Sequence, residues 1–266
     1  MKIDYADAIR KALVFCIRPK RWLPYFIMDV AFFAVAIALI VNNIPYLMYF
    51  FAGVEDMALI GPAASLFFTL IGLFAVWLLL GFWVNGAVVH QGNKEKEFKK
   101  SWSVSYHKYL SILAVTAISG LIAFVASLIP YVGWVFSVFA GIALFFVLQS
   151  VVVKDNGFMK AIQDSWHIFR KQPFKIFLIW LSVSAMAGLI LAIFAIPLLG
   201  LIFNMAVQLA GGGSVSTATF VNFIFELENQ FTLFIASIIV FILGMAISRA
   251  FTLKAQTEFY NQIKKR

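Results

Sequence analysis

Long apolar runs alternate with short charged stretches along the whole chain. Six runs, at 22–44, 63–89, 109–129, 131–153, 174–196 and 231–253, reach the roughly 20 residues that a membrane-spanning helix needs. Ten-residue stretches of alternating polarity are missing, so the pattern predicts helices and not a barrel. The expected fold is all-α integral membrane, with six transmembrane helices in a single membrane domain over 1–266. Residues 2–21 mix polar and apolar positions, and the first apolar run is span-length, so the start does not read as a cleavable signal.

A second pattern lies over the first. Short amphipathic segments precede the first, third and fifth runs, at 8–13, 97–102 and 161–166. Apolar residues recur there at helical spacing: Tyr5, Ile9, Ala12 and Leu13; then Phe98, Trp102, Ser105, Tyr106 and Tyr109; then Phe158, Ile162, Trp166 and Phe169. This predicts helices lying in the membrane interface, apolar side down and basic residues up, each turning into the next span as an elbow. The first, third and fifth runs close with Ile44-Pro45-Tyr46, Ile129-Pro130-Tyr131 and Ile196-Pro197-Leu198, where proline is expected to break or kink the helix. The even-numbered runs share Asn85-Gly86, Gln149-Ser150 and Arg249-Ala250, and five residues after each polar position come His90, Lys154 and Lys254. Asn85 to Ser101 and Gln149 to Ser165 are both steps of 16. The pattern predicts three repeats, over about 4–92, 93–155 and 156–266, each an interfacial elbow helix followed by a helical hairpin.

Charge sets the expected orientation. All 21 Lys and Arg fall before the first run, between the second and third, between the fourth and fifth, or at the end of the last. The other loops carry only Glu55, Asp56, Glu226 and Glu228. The positive-inside rule then predicts a multi-pass protein of the cell membrane with both termini cytoplasmic. Trp22 and Tyr25 fall at an inner boundary, and Tyr46, Tyr49, Tyr131 and Trp134 at outer ones, as interfacial aromatics do.

Composition agrees. The chain is 63% hydrophobic and 12% charged, where soluble domains carry about 25% charge. A soluble core could not hide that much apolar surface. The net charge of +9 is spread over short segments beside the bilayer, which points to anionic lipid headgroups and away from nucleic acid. The single Cys16 excludes an intramolecular disulfide and a cysteine metal cluster.

The Ala-x-x-x-Ser-Trp segment at 161–166, leading into Phe169-Arg170-Lys171, resembles a large, loosely related group of six-span membrane proteins, archaeal ones among them. It is also similar to the membrane domain attached to some glycerophosphodiester phosphodiesterases. Thr257-Glu258-Phe259-Tyr260 resembles the aromatic end of the last span in that group, and Arg18-Pro19-Lys20-Arg21-Trp22-Leu23-Pro24 resembles archaeal members. The resemblance implies the six-span architecture. It implies no catalytic residues, because the phosphodiesterase chemistry belongs to a separate soluble domain.

Four polar residues inside the spans are candidates for an inner polar cavity: Asp29, Asn85, Gln149 and Arg249. Intramembrane ionisable groups usually face protein or water. The alternative is structural: interhelical hydrogen bonds, a snorkelling Arg249, and an ion pair of Asp29 with Arg249. Candidate contacts to lipid or a partner are Arg10, Lys11, Lys99, Lys100, Trp102, Trp166, Arg170 and Lys171 on the elbows. The two tryptophans have the simpler reading of interfacial anchors. His90, His107 and His167 share no ligand spacing, and no phosphate loop, nucleophile elbow or paired carboxylates occur, so no metal, cofactor or catalytic residue is expected. Gly211-Gly212-Gly213-Ser214 reads as a flexible outer loop. The leading expectation is a non-enzymatic membrane module whose basic inner face binds anionic lipid or a membrane or cytoplasmic partner. The alternative is a small transporter or substrate-binding membrane subunit using the inner cavity.

Overall fold

A computed structural model describes residues 3–44, 46–47, 57–210 and 230–264. Pro45, Tyr49, the acidic Glu55, Asp56, Glu226 and Glu228, the glycine loop at 211–214, and the terminal Lys2, Lys265 and Arg266 lie outside them. The described residues are helical, with no strand among them.

The helices in chain order are α1 (Tyr5–Cys16), α2 (Pro19–Asn42), α3 (Met57–Asn93), α4 (Phe98–His107) and α5 (Tyr109–Ser127). They continue with α6 (Gly133–Ala143), α7 (Val147–Lys154), α8 (Phe158–Lys171), α9 (Pro173–Ala210) and α10 (Phe231–Lys264). Among the described residues, six helical segments are long and apolar enough to cross a membrane: Pro19–Asn42, Gly61–Asn93, Tyr109–Ser127, Gly133–Lys154, Pro173–Asn204 and Phe231–Lys264. Their surfaces leave Phe68, Leu121, Phe124 and Phe203 at least 60% exposed, which is what a lipid solvent accommodates and water does not. This is the architecture of a multi-pass membrane protein.

Local chemistry explains most boundaries. α2 and α9 begin at Pro19 and Pro173, where a missing N–H costs nothing and the fixed φ suits a first turn. α1 is capped by Asp4, whose side chain accepts from the Asp7 N–H. α2 ends where the Asn43 amide donates to the Leu39 carbonyl at 2.8 Å. The turn from α5 into α6 is tight. Tyr131 sits at φ 63°, and a Cβ at Gly133 would strike the carbonyls of Ala126 and Ser127, so only glycine fits.

Two features depart from the expected pattern. Pro197 lies inside α9, which runs on to Ala210 and does not stop at the expected boundary. Proline weakens a helix, but in an apolar solvent the backbone has no better partner than the helix itself. The fourth span is interrupted between Ala143 and Val147, although no proline stands there.

The chain forms two compact units. The first contains Met1–Pro24, Leu79–Leu189 and Ile247–Arg266, and the second contains Tyr25–Leu78 and Ile190–Ala246. The first unit holds α1, α4–α8 and one end of each of α2, α3, α9 and α10. Most of the buried polar and charged residues belong to it.

Candidate functional site

The polar chemistry of the first unit starts from how α1, α4 and α8 pack. Each buries a pair of small residues one turn apart: Ala8 and Ala12 on α1, Ser101 and Ser105 on α4, Ala161 and Ser165 on α8. Small side chains let backbones approach closely. Ser105 Oγ donates to the Trp83 carbonyl at 2.5 Å. A Cβ on Gly86 would collide with Ser105 Oγ and Ile112 Cδ1. Ser165 Oγ donates to the Ala143 carbonyl at 2.9 Å and accepts from the Phe146 N–H at 3.2 Å. It therefore serves two backbone groups beside the interruption of the fourth span. Of the residues singled out by apolar periodicity, Ala12 and Ser105 belong to this small stripe. Phe158 and Trp166 are exposed, Phe169 is buried, and Trp102 meets Trp83 edge to face with ring centroids 5.2 Å apart.

Asp164, one residue before Ser165, is a hub. Its carboxylate accepts from Ser150 Oγ at 2.8 Å, Lys154 Nζ at 2.9 Å, Tyr260 OH at 2.9 Å and Lys264 Nζ at 2.8 Å. Lys264 Nζ also donates to Tyr260 OH. Burial alone would push the carboxyl up, but these donors outweigh it and hold Asp164 well below the usual carboxylate range. The hub ties α7, α8 and α10 together. Beside it opens a cavity of about 410 Å³, lined by Lys154, Asp164, His167, Lys171 and Lys264, with Ile168, Ile176 and Ile263 as its apolar part.

A second hub centres on Lys254 of α10, only 3% exposed. Its ammonium reaches the Gly92 carbonyl at 2.7 Å, Glu95 at 3.0 Å and Glu258 at 2.5 Å, and lies 5.5 Å from the Phe15 ring. Arg21 donates to Gln91 at 3.0 Å and to the Glu95 carbonyl at 2.9 Å, with its guanidinium 4.9 Å from the same ring. Burial pushes the Glu95 carboxyl up, but Lys254, Arg18 and Arg21 hold it below its ordinary value. α1, α2, the α3–α4 loop and α10 meet here. Lys108 joins α4 and α5 to the end of α7, donating to the Val151 and Val152 carbonyls and pairing with Asp155 at 2.8 Å. A lysine at a helix C-terminus is favoured by the exposed carbonyls and the dipole.

The residues expected to line an inner cavity are distributed as follows. Asp29 is in the second unit, fully buried, accepting from Trp77 Nε1 at 2.7 Å, and the Trp77 ring packs against Phe32 and Phe74. Asn85, Gln149 and Arg249 are in the first unit. Gln149 is fully buried and donates to Gln256 at 2.9 Å. Asn85 and Arg249 are half-buried. Among the expected surface contacts, Arg10 and Lys11 both pair with Asp7, and Lys100 pairs with Glu97. Lys99, Arg170 and Lys171 are exposed, and of these Lys171 borders the cavity.

The periodicity of the spans did not point to the Asp164 and Lys254 hubs. The available signal was the register position five residues after the shared polar one. His90 there contacts Ser101 Oγ at 3.0 Å, Lys154 meets Asp164, and Lys254 meets Glu95 and Glu258. Among the described residues no His, Cys, Asp and Glu cluster is arranged to hold a metal ion. Comparison with protein families, with characterised proteins and with solved structures gave no match to this chain.

Proposed function

We propose that the protein is a non-enzymatic membrane module that holds anionic lipid headgroups at one basic face. One observation carries the reading. α1, α4 and α8 each carry exposed cations together with exposed apolar side chains: Lys11 and Val14 on α1, Lys99, Lys100 and Tyr106 on α4, Arg170, Lys171 and Trp166 on α8. Apolar groups that enter the acyl boundary next to cations that reach headgroups are the mark of an interfacial helix. Each Lys or Arg near an anionic surface contributes about 1 kcal/mol.

In this reading the basic segments lie on the cytoplasmic side of the cell membrane, with both termini there. The three elbow-and-hairpin repeats arrange the basic helices around that face. Support for the repeats comes from the small stripes on α1, α4 and α8 and from the polar contacts at His90, Lys154 and Lys254. The likeness of 161–171 to the six-span group belongs to the same proposal, since Ser165 and Asp164 in that segment make its central contacts.

The test is lipid selectivity. Purified protein is equilibrated with equal amounts of phosphatidylglycerol and phosphatidylcholine, and retained lipid is counted by native mass spectrometry. Enrichment of phosphatidylglycerol is expected, reduced when Arg10, Lys11, Lys99 and Lys100 are all replaced by Gln. Equal retention of the two lipids by the unaltered protein would overturn the reading.

A further inference from the structure

The cavity beside Asp164 is lined by more cations than carboxylates. Three ammonium groups, Lys154, Lys171 and Lys264, border it against one carboxylate. Asp164 already engages Lys154 and Lys264. Lys171 has no carboxylate partner among the described residues, so it adds a cation that Asp164 does not neutralise. Asp164, His167 and Lys171 are spaced i, i+3 and i+7 along α8, which places them on one face of the helix. α9 starts at Pro173, and its first turn, with Gln172 and Ile176, closes one side of the cavity. The remaining wall is apolar, with Ile168 and Ile176 nearly fully buried. At about 410 Å³ the cavity falls within the roughly 300–1,000 Å³ of small-molecule sites.

We infer that this cavity binds a phosphate group, with Lys171, His167 and Lys264 as its donors and Ile168 and Ile176 against the carbon skeleton attached to it. Asp164 acts as the positioning residue: it fixes Lys154 and Lys264 at the rim and leaves a net positive charge for the ligand. A phosphate ester with an apolar body satisfies both walls, whereas inorganic phosphate satisfies only the cationic one. The inference rests on the anionic-lipid reading for the source of that ester and adds a defined site to a diffuse surface.

The test uses the full chain in a neutral detergent with three probes: dioctanoyl phosphatidic acid, glycerol 3-phosphate and inorganic phosphate. Affinity is read by microscale thermophoresis, and folding of each variant is checked by its thermal midpoint. Lys171→Gln, at an exposed position outside the hubs, should weaken phosphatidic acid binding about tenfold, the usual consequence of losing one charge-assisted hydrogen bond. Lys171→Arg should retain it, and His167→Gln should weaken it less. Tighter binding of phosphatidic acid than of the two soluble probes identifies a lipid headgroup site. Equal Lys171-dependent binding of all three identifies a free-phosphate site and leaves the cavity assignment standing without the lipid reading. Phosphatidic acid affinity unchanged in folded Lys171→Gln and His167→Gln would overturn the cavity inference. If phosphatidylglycerol enrichment persists in that case, the surface reading survives alone.

Discussion

Replacing Ser165 by alanine isolates the contact on which the fourth span depends. The hydroxyl donates to Ala143 and accepts from Phe146, and both partners are backbone groups beside the interruption between α6 and α7. Ser165 is 1% exposed, so water does not substitute readily. Alanine removes only the oxygen, so lost packing is a small part of the effect. Interhelical hydrogen bonds in membrane proteins average about 0.6 kcal/mol, with a maximum of about 1.7, because the unfolded chain also finds partners in the bilayer. Two such bonds give about 1–3 kcal/mol, toward the upper end here because a buried unpaired carbonyl and N–H remain behind. Ser182 is the internal control, since its hydroxyl donates to Leu178 within its own helix. Equilibrium unfolding in a mixed-detergent titration, followed by circular dichroism, should show Ser165→Ala destabilised by that amount and Ser182→Ala within about 0.5 kcal/mol of the parent. Equal stability of the two variants would refute the idea that Ser165 holds the break.

Other substitutions probe the remaining joints. Gly86→Ala should cost about 1–3 kcal/mol through collision with Ser105 and Ile112, while Gly120→Ala, with open space around it, should be neutral or stabilising in the same unfolding assay. Lys254→Met leaves Glu95 and Glu258 without their shared cation and should cost about 3 kcal/mol, against no measurable change for the exposed Lys99→Met. The depressed Asp164 carboxyl makes stability pH-dependent in one direction. A group whose folded value lies below its unfolded value of about 3.9 contributes fully above that value and loses the contribution as pH falls through the folded one. The thermal midpoint of the parent should therefore fall below about pH 4, and Asp164→Asn, already lacking the contribution at pH 7, should show a shallower acid slope.

How much of this was legible in the sequence follows from which forces act locally. The six spans were readable because hydropathy is a property of each segment alone, and their cores fall where the apolar runs lie. α10 outruns the predicted boundary at 253 because Lys254 and Glu258 pair one turn apart and bury a charge that a hydropathy scan treats as an end. The interruption at 144–146 carries no proline and was not readable, since it is stabilised by Ser165 on another helix. Asn85, Gln149 and Arg249 were visible as polar residues inside apolar runs. The Asp164 and Lys254 hubs were not, because a carboxylate in a charged segment looks solvated until its partners are placed around it. Of the small pairs, Ala12 and Ser105 fell on the apolar periodicity, whereas Ala8, Ser101, Ala161 and Ser165 did not, because larger residues dominate that pattern.

The sidedness of the basic segments is the premise behind the lipid reading, and cysteine accessibility tests it most directly. In a Cys16→Ala background, single cysteines are placed at Lys96, Asn156 and Tyr131 and treated with a membrane-impermeant maleimide in intact cells. The account predicts labelling at position 131 in intact cells, and at 96 and 156 only after permeabilisation. Labelling of 96 and 156 from opposite sides of the membrane would contradict it.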